Sequence, residues 1–477
     1  MSPRVSGDGR ARVAIDLGAE SCRVSLLRWR QDRAEVTGVH RIPNAPVVQG
    51  GSNCWPLGDI LAGLEEGLRK AAEIAGEGIA SVAVDGWAVD YVRLNTDGKP
   101  IHDPFCYRDE RTVAAKQRAD AILQPEVAFR RTGAQPLRIN TVYQLLADDA
   151  DLAQRSWICL PEYVMHWLGA PPIAEYTNAT HTGLVDPASG EWAQDVFDLL
   201  GIPIAAAPPI VAPGTRLGLM RGPLAAWPAF RETELIAPAC HDTASAIAGV
   251  PADLDSTAYI CSGTWSLVGT LVAKPITTPE ALAARYTNQG AASGGFCFHT
   301  NVNGMWLLKQ CIEGWSASGR AWSVADLVKG AADCAPPGVI NVDAEPLLLP
   351  GNMPQRINQE LLRTGQEAIP DIAGNEPLFA RLIFESLAAR YATAIGDLQN
   401  MLGRELTRVH IIGGASRNLL LRDLASRRCG VPVDCGHPES STIGNFAVQL
   451  AAAESPAAPL SRAAVRRWAA ELCSAEL

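Results

Sequence analysis

Asp242 lies in Pro238-Ala239-Cys240-His241-Asp242-Thr243-Ala244-Ser245-Ala246-Ile247-Ala248-Gly249, where a loop delivers one carboxylate to the start of a short helix of small residues. An aspartate there can cap the helix, its side-chain oxygen accepting a backbone N–H of the first turn. It can also take a proton from a hydroxyl within hydrogen-bond reach, the work of a general base. Both roles are open on this stretch alone. A second chemical stretch is Asp85-Gly86-Trp87-Ala88-Val89-Asp90-Tyr91, at the carboxyl end of an expected strand. Two acids beside an indole are costly to bury without a polar ligand. An aromatic face next to carboxylate acceptors suits a polyol; a solvated turn with Trp87 packed in the core fits the same residues.

Three further stretches have shapes that can meet phosphate. The first runs from a strand, Arg12-Val13-Ala14-Ile15-Asp16-Leu17-Gly18, through Ala19-Glu20-Ser21-Cys22 into a second strand, Arg23-Val24-Ser25-Leu26-Leu27-Arg28-Trp29. Strand, turn, strand is neither a P-loop nor a dinucleotide fingerprint. A tight turn of small residues can still aim backbone N–H groups at an anion, with Arg23 adding charge, or be an ordinary hairpin. Residues 258–270 repeat the pattern around Ser262-Gly263-Thr264. Two such hairpins roughly 245 residues apart suggest a duplicated fold. The third stretch is a strand, Val409-His410-Ile411-Ile412, then Gly413-Gly414, then a helix from Leu419. Paired glycines before a helix let a nucleotide approach the backbone, and they also serve any left-handed turn.

These groups need a scaffold, and the chain supplies alternating strands and helices. A third strand is expected over Ala34 to His40, and a helix over Leu57 to Ala75, where Leu57, Ile60, Leu61, Leu64, Leu68, Ala71 and Ala72 share one face. A strand follows over Ile79 to Val84. Tyr107-Arg108-Asp109-Glu110-Arg111-Thr112 reads as a charged helix entry, and residues 113–168 as mainly helical. Tyr176 to Thr182 is a polar cluster whose hydroxyls could meet a sugar or one another. Residues 201–227 read as strands and loops, and residues 335–374 as proline-rich and irregular. A long helix is expected over Glu376 to Met401, and further helices over Ser440 to Ala453 and from Ser461 on.

A chain of 477 residues exceeds one hydrophobic core, so at least two domains are expected. Its 47% hydrophobic and 19% charged residues are a globular balance. A net charge of −10 argues against a nucleic-acid partner, which would favour a basic surface. The polar stretch Met1 to Arg10 lacks a signal-peptide core, and no run of 18 apolar residues is present. Twelve cysteines without a Cys-x-x-Cys pair read as reduced thiols, which gives an expectation of the cytoplasm.

Taken in order, these stretches resemble the FGGY carbohydrate kinases, and within them most closely the rhamnulokinases. The motifs are Ala14 to Ala19, Asp85 to Tyr91, Tyr107 to Thr112, Thr177-Asn178-Ala179-Thr180, His241 to Ala246, Ser262-Gly263-Thr264-Trp265-Ser266-Leu267 and Ile412-Gly413-Gly414. The resemblance implies an α/β fold of two actin-like (ribonuclease H-like, ASKHA) domains with a catalytic cleft between them. Domains are expected over 1–245, binding sugar, and 246–477, binding ATP. The implied reaction moves the γ-phosphoryl of ATP to the 1-hydroxyl of a ketose, L-rhamnulose first. Other implied readings are a kinase for L-fuculose, xylulose or glycerol, and an inactive sugar-binding regulator. Asp242 matches the proton acceptor, and Mg²⁺ is expected near Asp16 and Asp242 through water. Ala88 and His241 match sugar-site positions, joined by Asp85, Trp87, Asp90, Arg108 and Asp109. Ala19, Glu20, Ser21, Cys22, Arg23, Thr264, Asn301, Lys309, Gly413 and Gly414 fall on the ATP side. Expected partners are ATP, ADP and a small sugar, with no nucleic acid or membrane; monomer or homodimer is left open. Departures from the family pattern are Ala88 for a glycine, Lys309 for a frequent glutamine, Ala415 for a third glycine, and Glu20 and Cys22 in the hairpin.

Overall fold

The computed structural model describes residues 8–31, 33–455 and 459–474; residues 1–7 of the polar N-terminal stretch and 475–477 of the last expected helix lie outside them. Strand β1 (Ala11–Leu17) is buried along its whole length, as a central strand covered on both faces must be. It pairs antiparallel with β2 (Ser21–Arg30), which pairs antiparallel with β3 (Arg33–Pro43). Helix α1 (Leu57–Ile74) buries Leu57, Ile60, Leu64, Leu68 and Ala71, leaving Leu61 and Ala72 at the margin of the stripe. The chain then returns as β4 (Ile79–Gly86), parallel to β1. After a long excursion, β5 (Arg216–Leu219) and β6 (Glu234–Ile236) complete a sheet of order β5-β6-β4-β1-β2-β3.

Helix α2 (Asp242–Ala248) leads to the second sheet, whose strands are β7 (Thr257–Ser262), β8 (Trp265–Val272), β9 (Tyr286–Gly290) and β10 (Phe296–Asn303). Helices α3 (Trp306–Ala317) and α4 (Glu376–Leu402) follow, then β11 (Arg408–Ile412), α5 (Leu419–Cys429) and β12 (Val433–Cys435). The order is β9-β10-β8-β7-β11-β12. In strand sense, β10-β8-β7-β11-β12 repeats β3-β2-β1-β4-β6: two antiparallel pairings, then two parallel ones. The expected duplication is therefore present in topology, each half opening with its hairpin.

The last two helices, α6 (Ser440–Glu454) and α7 (Arg462–Cys473), leave the second sheet and cover the first. Ile443, Phe446, Val448, Val465 and Trp468 share a buried cluster with Ala14, Leu27 and Val36. Gln449 ties the layers together: its Nε2 donates to the Val13 carbonyl at 3.0 Å, and Ser81 Oγ donates to its Oε1 at 2.6 Å. Helix α2 crosses α6 at two glycines, and a Cβ on Gly444 would lie 1.7 Å from the Ser245 carbonyl oxygen.

Two expectations are corrected. Within residues 113–168 the structure has five helical segments but also a buried strand, Trp157–Cys159, antiparallel to Tyr91–Arg93. Aromatic and β-branched residues gain more there from pairing across a small sheet than from helical periodicity. Residues 335–374 are not irregular throughout: Met353–Arg363 is a helix with Pro354 in its first turn. A proline opens a helix there because the N–H it lacks has no intrahelical partner anyway.

The crossing gives a paired prediction. Gly444→Ala should destabilise the fold by roughly 1–3 kcal/mol or more through overpacking. Gly396→Ala, on α4 with nothing within 4 Å of its added Cβ, should be neutral or stabilising by up to about 1 kcal/mol. Urea unfolding of both variants checks this, and equal effects would contradict the packing argument.

Candidate active site

Three chain segments end side by side at one edge of the first sheet. Asp16 closes β1 and Asp85 closes β4, the two facing each other in parallel register. The segment into α2 joins them: Gly86 N donates to the Cys240 carbonyl at 2.9 Å, and Gly86 forms a bridge with His241. Carboxyl ends of parallel strands are where open α/β sheets place ligands. Asp16 accepts from Arg23 at 3.2 Å and from Ser441 Oγ at 2.8 Å. Burial pushes its carboxyl up to about 6; Arg23 opposes the rise, and the nearby Asp242 charge adds to it. Asp85 is fully buried, accepts from Asn445 Nδ2 at 2.6 Å, and has no partner for Oδ1 among the described residues. Burial raises its carboxyl well above the usual range, and the charges of Asp16 and Asp242 raise it further.

Asp242 is not the N-cap; His241 holds that position with extended backbone, and Asp242 is the first helical residue. From there its Oδ1 accepts from Thr243 N at 2.5 Å and Thr243 Oγ1 at 3.1 Å, and His241 Nε2 lies 3.1 Å from it. Its Oδ2 makes no hydrogen bond among the described residues, and 36% of the side chain stays exposed. One oxygen is thus engaged and the other open to the cleft.

The loop carrying Asp242 is pinned from beneath by a buried carboxylate. Glu175 Oε2 accepts from Cys240 N at 2.8 Å and from Thr177 Oγ1 at 2.5 Å, while Thr177 Oγ1 accepts from His241 N at 3.2 Å. Burial pushes Glu175 up to about 8 and its neighbour Glu162 up to about 7. Beside it, His241 Nδ1 meets His181 Nε2 at 2.9 Å, and His181 Nδ1 meets Gln289 Nε2 at 2.8 Å, leaving Gln289 Oε1 without a partner among the described residues. The hydroxyls of Thr177, Thr180 and Thr182 all bond within the protein, so the threonines of that cluster build the site.

An aromatic wall flanks the acids. The Trp55 and Trp87 ring centroids lie 4.5 Å apart, with Tyr107 next and Arg108 stacked on Tyr107 at 5.2 Å. Arg108 has no carboxylate partner among the described residues and is exposed, whereas Ala88 is buried behind the wall. Two expected sugar contacts are corrected. Asp90 is fully buried, and its oxygens accept from Trp55 Nε1 at 2.5 Å, Trp87 Nε1 at 2.9 Å and Gln144 Nε2 at 3.0 Å. Asp109 is buried and accepts from Asn53 N at 2.7 Å and Arg111 N at 2.9 Å. Both spend their acceptor capacity on the scaffold. Val89 bends this segment with φ at +73°, a strained conformation for a β-branched residue; its carbonyl accepts from Thr141 Oγ1 and Gln144 Nε2.

Across the cleft, the two hairpin tips face each other. Glu20 Oε1 pairs with Lys309 Nζ at 2.7 Å and accepts from Thr264 Oγ1 at 3.4 Å. Gly413, at φ +80°, brings the turn after β11 against Ser262, so that Gly413, Gly414 and Thr264 lie at one edge of the second sheet. The other residues expected on the nucleotide side differ in what their side chains meet. The Cys22 side chain is buried in the core, where burial pushes its thiol up to about 12. The Arg23 guanidinium is shared between Asp16 and Glu439, at 3.2 and 2.9 Å. Asn301 is exposed on β10 opposite Leu267, with no hydrogen bond to the Lys309 group among the described residues. Ser21 is buried beside Arg41, and Ala19 lies in the turn. The donors Trp55, Gln144 and Ser441 and the acceptor Glu175 gave no sequence signal; Asn445 and Gln449, polar and four apart in the apolar middle of their helix, could have been noticed.

The raised carboxylates make stability fall as pH rises. Glu175 goes from its usual 4.5 to about 8, so its contribution is complete below 4.5 and lost as pH climbs through 8. Urea unfolding should therefore give lower stability at pH 8 than at pH 6, with a shallower slope in Glu175→Gln. An unchanged slope in that variant would count against the buried carboxylate as its source.

Comparison with other proteins gives the family of the chain. The profile of the N-terminal domain of the FGGY family of carbohydrate kinases matches residues 11–249, and that of the C-terminal domain residues 258–453. A rhamnulokinase of Mannheimia succiniciproducens is 35% identical over 92% of this chain and 89% of its own length. One of Halalkalibacterium halodurans is 32% identical over 92% of each. Among solved structures, gluconate kinase from Lactobacillus acidophilus superposes with a TM-score of 0.75 at 16% identity, covering 93% of this chain and 89% of its own. Plasmodium falciparum glycerol kinase with ADP gives 0.71 at 13% identity, covering 92% and 88%. At such identities the superpositions establish the actin-like fold.

Proposed function

The chain belongs to the FGGY family of carbohydrate kinases and is an ATP-dependent sugar kinase, and we propose that its acceptor is the 1-hydroxyl of L-rhamnulose, with Asp242 as the base. The observation that carries the base is the unequal pair of oxygens on Asp242, Oδ1 bonded by two donors with His241 Nε2 beside it, and Oδ2 without a hydrogen bond among the described residues. The choice of sugar rests on the rhamnulokinases that match over 92% of the chain.

In this reading the sugar lies against Trp87 and Arg108, with its primary hydroxyl at Asp242 Oδ2. The hydroxyl oxygen forms the new bond to the γ-phosphorus, the bond from that phosphorus to the β,γ-bridging oxygen breaks, and the hydroxyl proton moves to Asp242. Products are the sugar 1-phosphate and ADP. A hydroxyl is a weak nucleophile, so a positioned carboxylate helps as bonding to phosphorus develops. The turn at Gly413-Gly414, with Thr264 and Lys309, would hold the nucleotide, and residues 1–245 and 246–477 would be the two domains.

A divalent cation, generally Mg²⁺, would neutralise the ATP phosphates. Asp16, Asp85 and Asp242 fit its water shell: they bring negative charge to one edge, and Asp85 Oδ1 has no protein donor among the described residues. Among the described residues no group of three His, Cys, Asp or Glu side chains is placed to hold an ion, and oxygens of the ATP phosphates would share in holding it. No helix among the described residues is long and apolar enough to cross a membrane. A second reading, another ketose or a polyol, follows from Ala88, whose methyl stiffens the segment beside Trp87.

Asp242→Asn should lower kcat about 10²- to 10⁴-fold while sugar binding by calorimetry persists. ATP consumption on a panel of ketoses, aldoses and polyols should be fastest with L-rhamnulose. Turnover of glycerol or an aldopentose in its place overturns the sugar assignment, and near wild-type rates in Asp242→Asn overturn the base. Glu20→Ala should free Lys309 for phosphate and lower KM for ATP by up to about 5-fold, the reach of an exposed ion pair. A raised KM would argue that Glu20 helps the nucleotide.

A further inference from the structure

We infer that His181 and Gln289 are positioning residues: they hold the proton of His241 on Nε2, so that the protonated nitrogen faces Asp242 Oδ1 and leaves Oδ2 to take the substrate's proton. The inference rests on the reading of Asp242 as the base.

The assignment follows from who can donate. An amide N–H only donates, so the 2.8 Å contact from Gln289 Nε2 makes His181 Nδ1 the acceptor. The His181 proton is then on Nε2, where it donates to His241 Nδ1 at 2.9 Å. With Nδ1 accepting, the His241 proton is on Nε2, which lies 3.1 Å from Asp242 Oδ1. One orientation of the chain Gln289→His181→His241 satisfies both hydrogen bonds and turns a protonated nitrogen toward Asp242. His181 is neutral in this arrangement, since burial and the neighbouring His241 and His299 rings hold it well below the usual histidine range. The two imidazoles are close, with centroids 3.8 Å apart.

The members come from distant parts of the fold. Asp242 and His241 lie at the entry of α2, His181 in the 3₁₀ turn Thr180–Thr182, and Gln289 on β9 at the edge of the second sheet. That edge is docked on the excursion from the first sheet: Gly290 N donates to Thr180 Oγ1 at 2.8 Å, Asn288 N to the Gly133 carbonyl at 2.9 Å, and Gln135 Nε2 to the Tyr286 carbonyl at 2.9 Å. The aim of the base is therefore tied to the seating of β9. A pair of buried histidines that merely filled space would need no fixed proton positions.

Nitrogen-resolved NMR of the histidine rings in the unmodified enzyme tests this directly. His241 should be protonated at Nε2 and bare at Nδ1; a proton on Nδ1 overturns the inference without any variant. His181→Phe keeps a ring and removes both nitrogens, and Gln289→Leu removes the donor. Each should lower kcat about 10- to 100-fold with KM for ATP within about twofold, and His241 should populate both tautomers. Gln289→Glu, which offers His181 an acceptor where it needs a donor, should cost more than Gln289→Leu. Wild-type kcat in folded His181→Phe or in Gln289→Leu overturns the inference; if His181→Phe does not fold, Gln289→Leu and the unmodified spectrum decide. An Asp242→Asn enzyme that still turns over would instead remove the base reading itself, whereas an inactive Asp242→Asn beside fully active relay variants would remove only the relay.

Discussion

Negative charge crowded at the end of β1 and β4 is the constraint around which the molecule is arranged. Asp85 feels the charges of Asp16 and Asp242, Asp16 feels that of Asp242, and Asp16 and Asp85 are buried. Taking carboxylates out of water is expensive unless donors or cations meet them. The fold meets part of that demand with Arg23, Ser441 and Asn445, and the last two come from a helix more than 350 residues away in the chain. The remaining demand is left facing the cleft, where an ATP-bound divalent cation would answer it. A site so built is selective by charge before any sugar hydroxyl is read.

The duplicated sheets divide the chemistry unequally. At corresponding strand ends, the first half carries acids and an indole, whereas the second carries glycines, Thr264 and Lys309. The shared topology explains why two hairpin tips come to face one another. Their side chains explain why one half suits proton removal and the other suits phosphate. Helix α2 stands where the halves join: Ala244 packs with the first sheet's cluster and Ile247 with the second's.

Much of the scaffold was legible because apolar strands flanking small-residue turns leave a plain local pattern. Both hairpins, the long helix over Glu376–Leu402 and the strand into Gly413 appear as expected. The strand Trp157–Cys159 was hidden because its pairing partner lies at Tyr91–Arg93, and the helix Met353–Arg363 because its proline marks a beginning and not an interruption. At the site, Asp242 could be found from its loop. The occupation of Asp90 could not, since it depends on Trp55 and Gln144, each tens of residues off. Local sequence says which groups a segment carries; only the fold says which of them are already spoken for.

The return of α6 and α7 to the first sheet has a bearing on how the chain is made. Gln449 and Phe446 complete a layer that β1 opens, so the earliest strand to leave the ribosome waits for some of the latest residues to arrive. Until then one face of that sheet, with Ala14, Leu27 and Val36, has no cover of its own. Contacts this distant in sequence close slowly and expose apolar surface meanwhile.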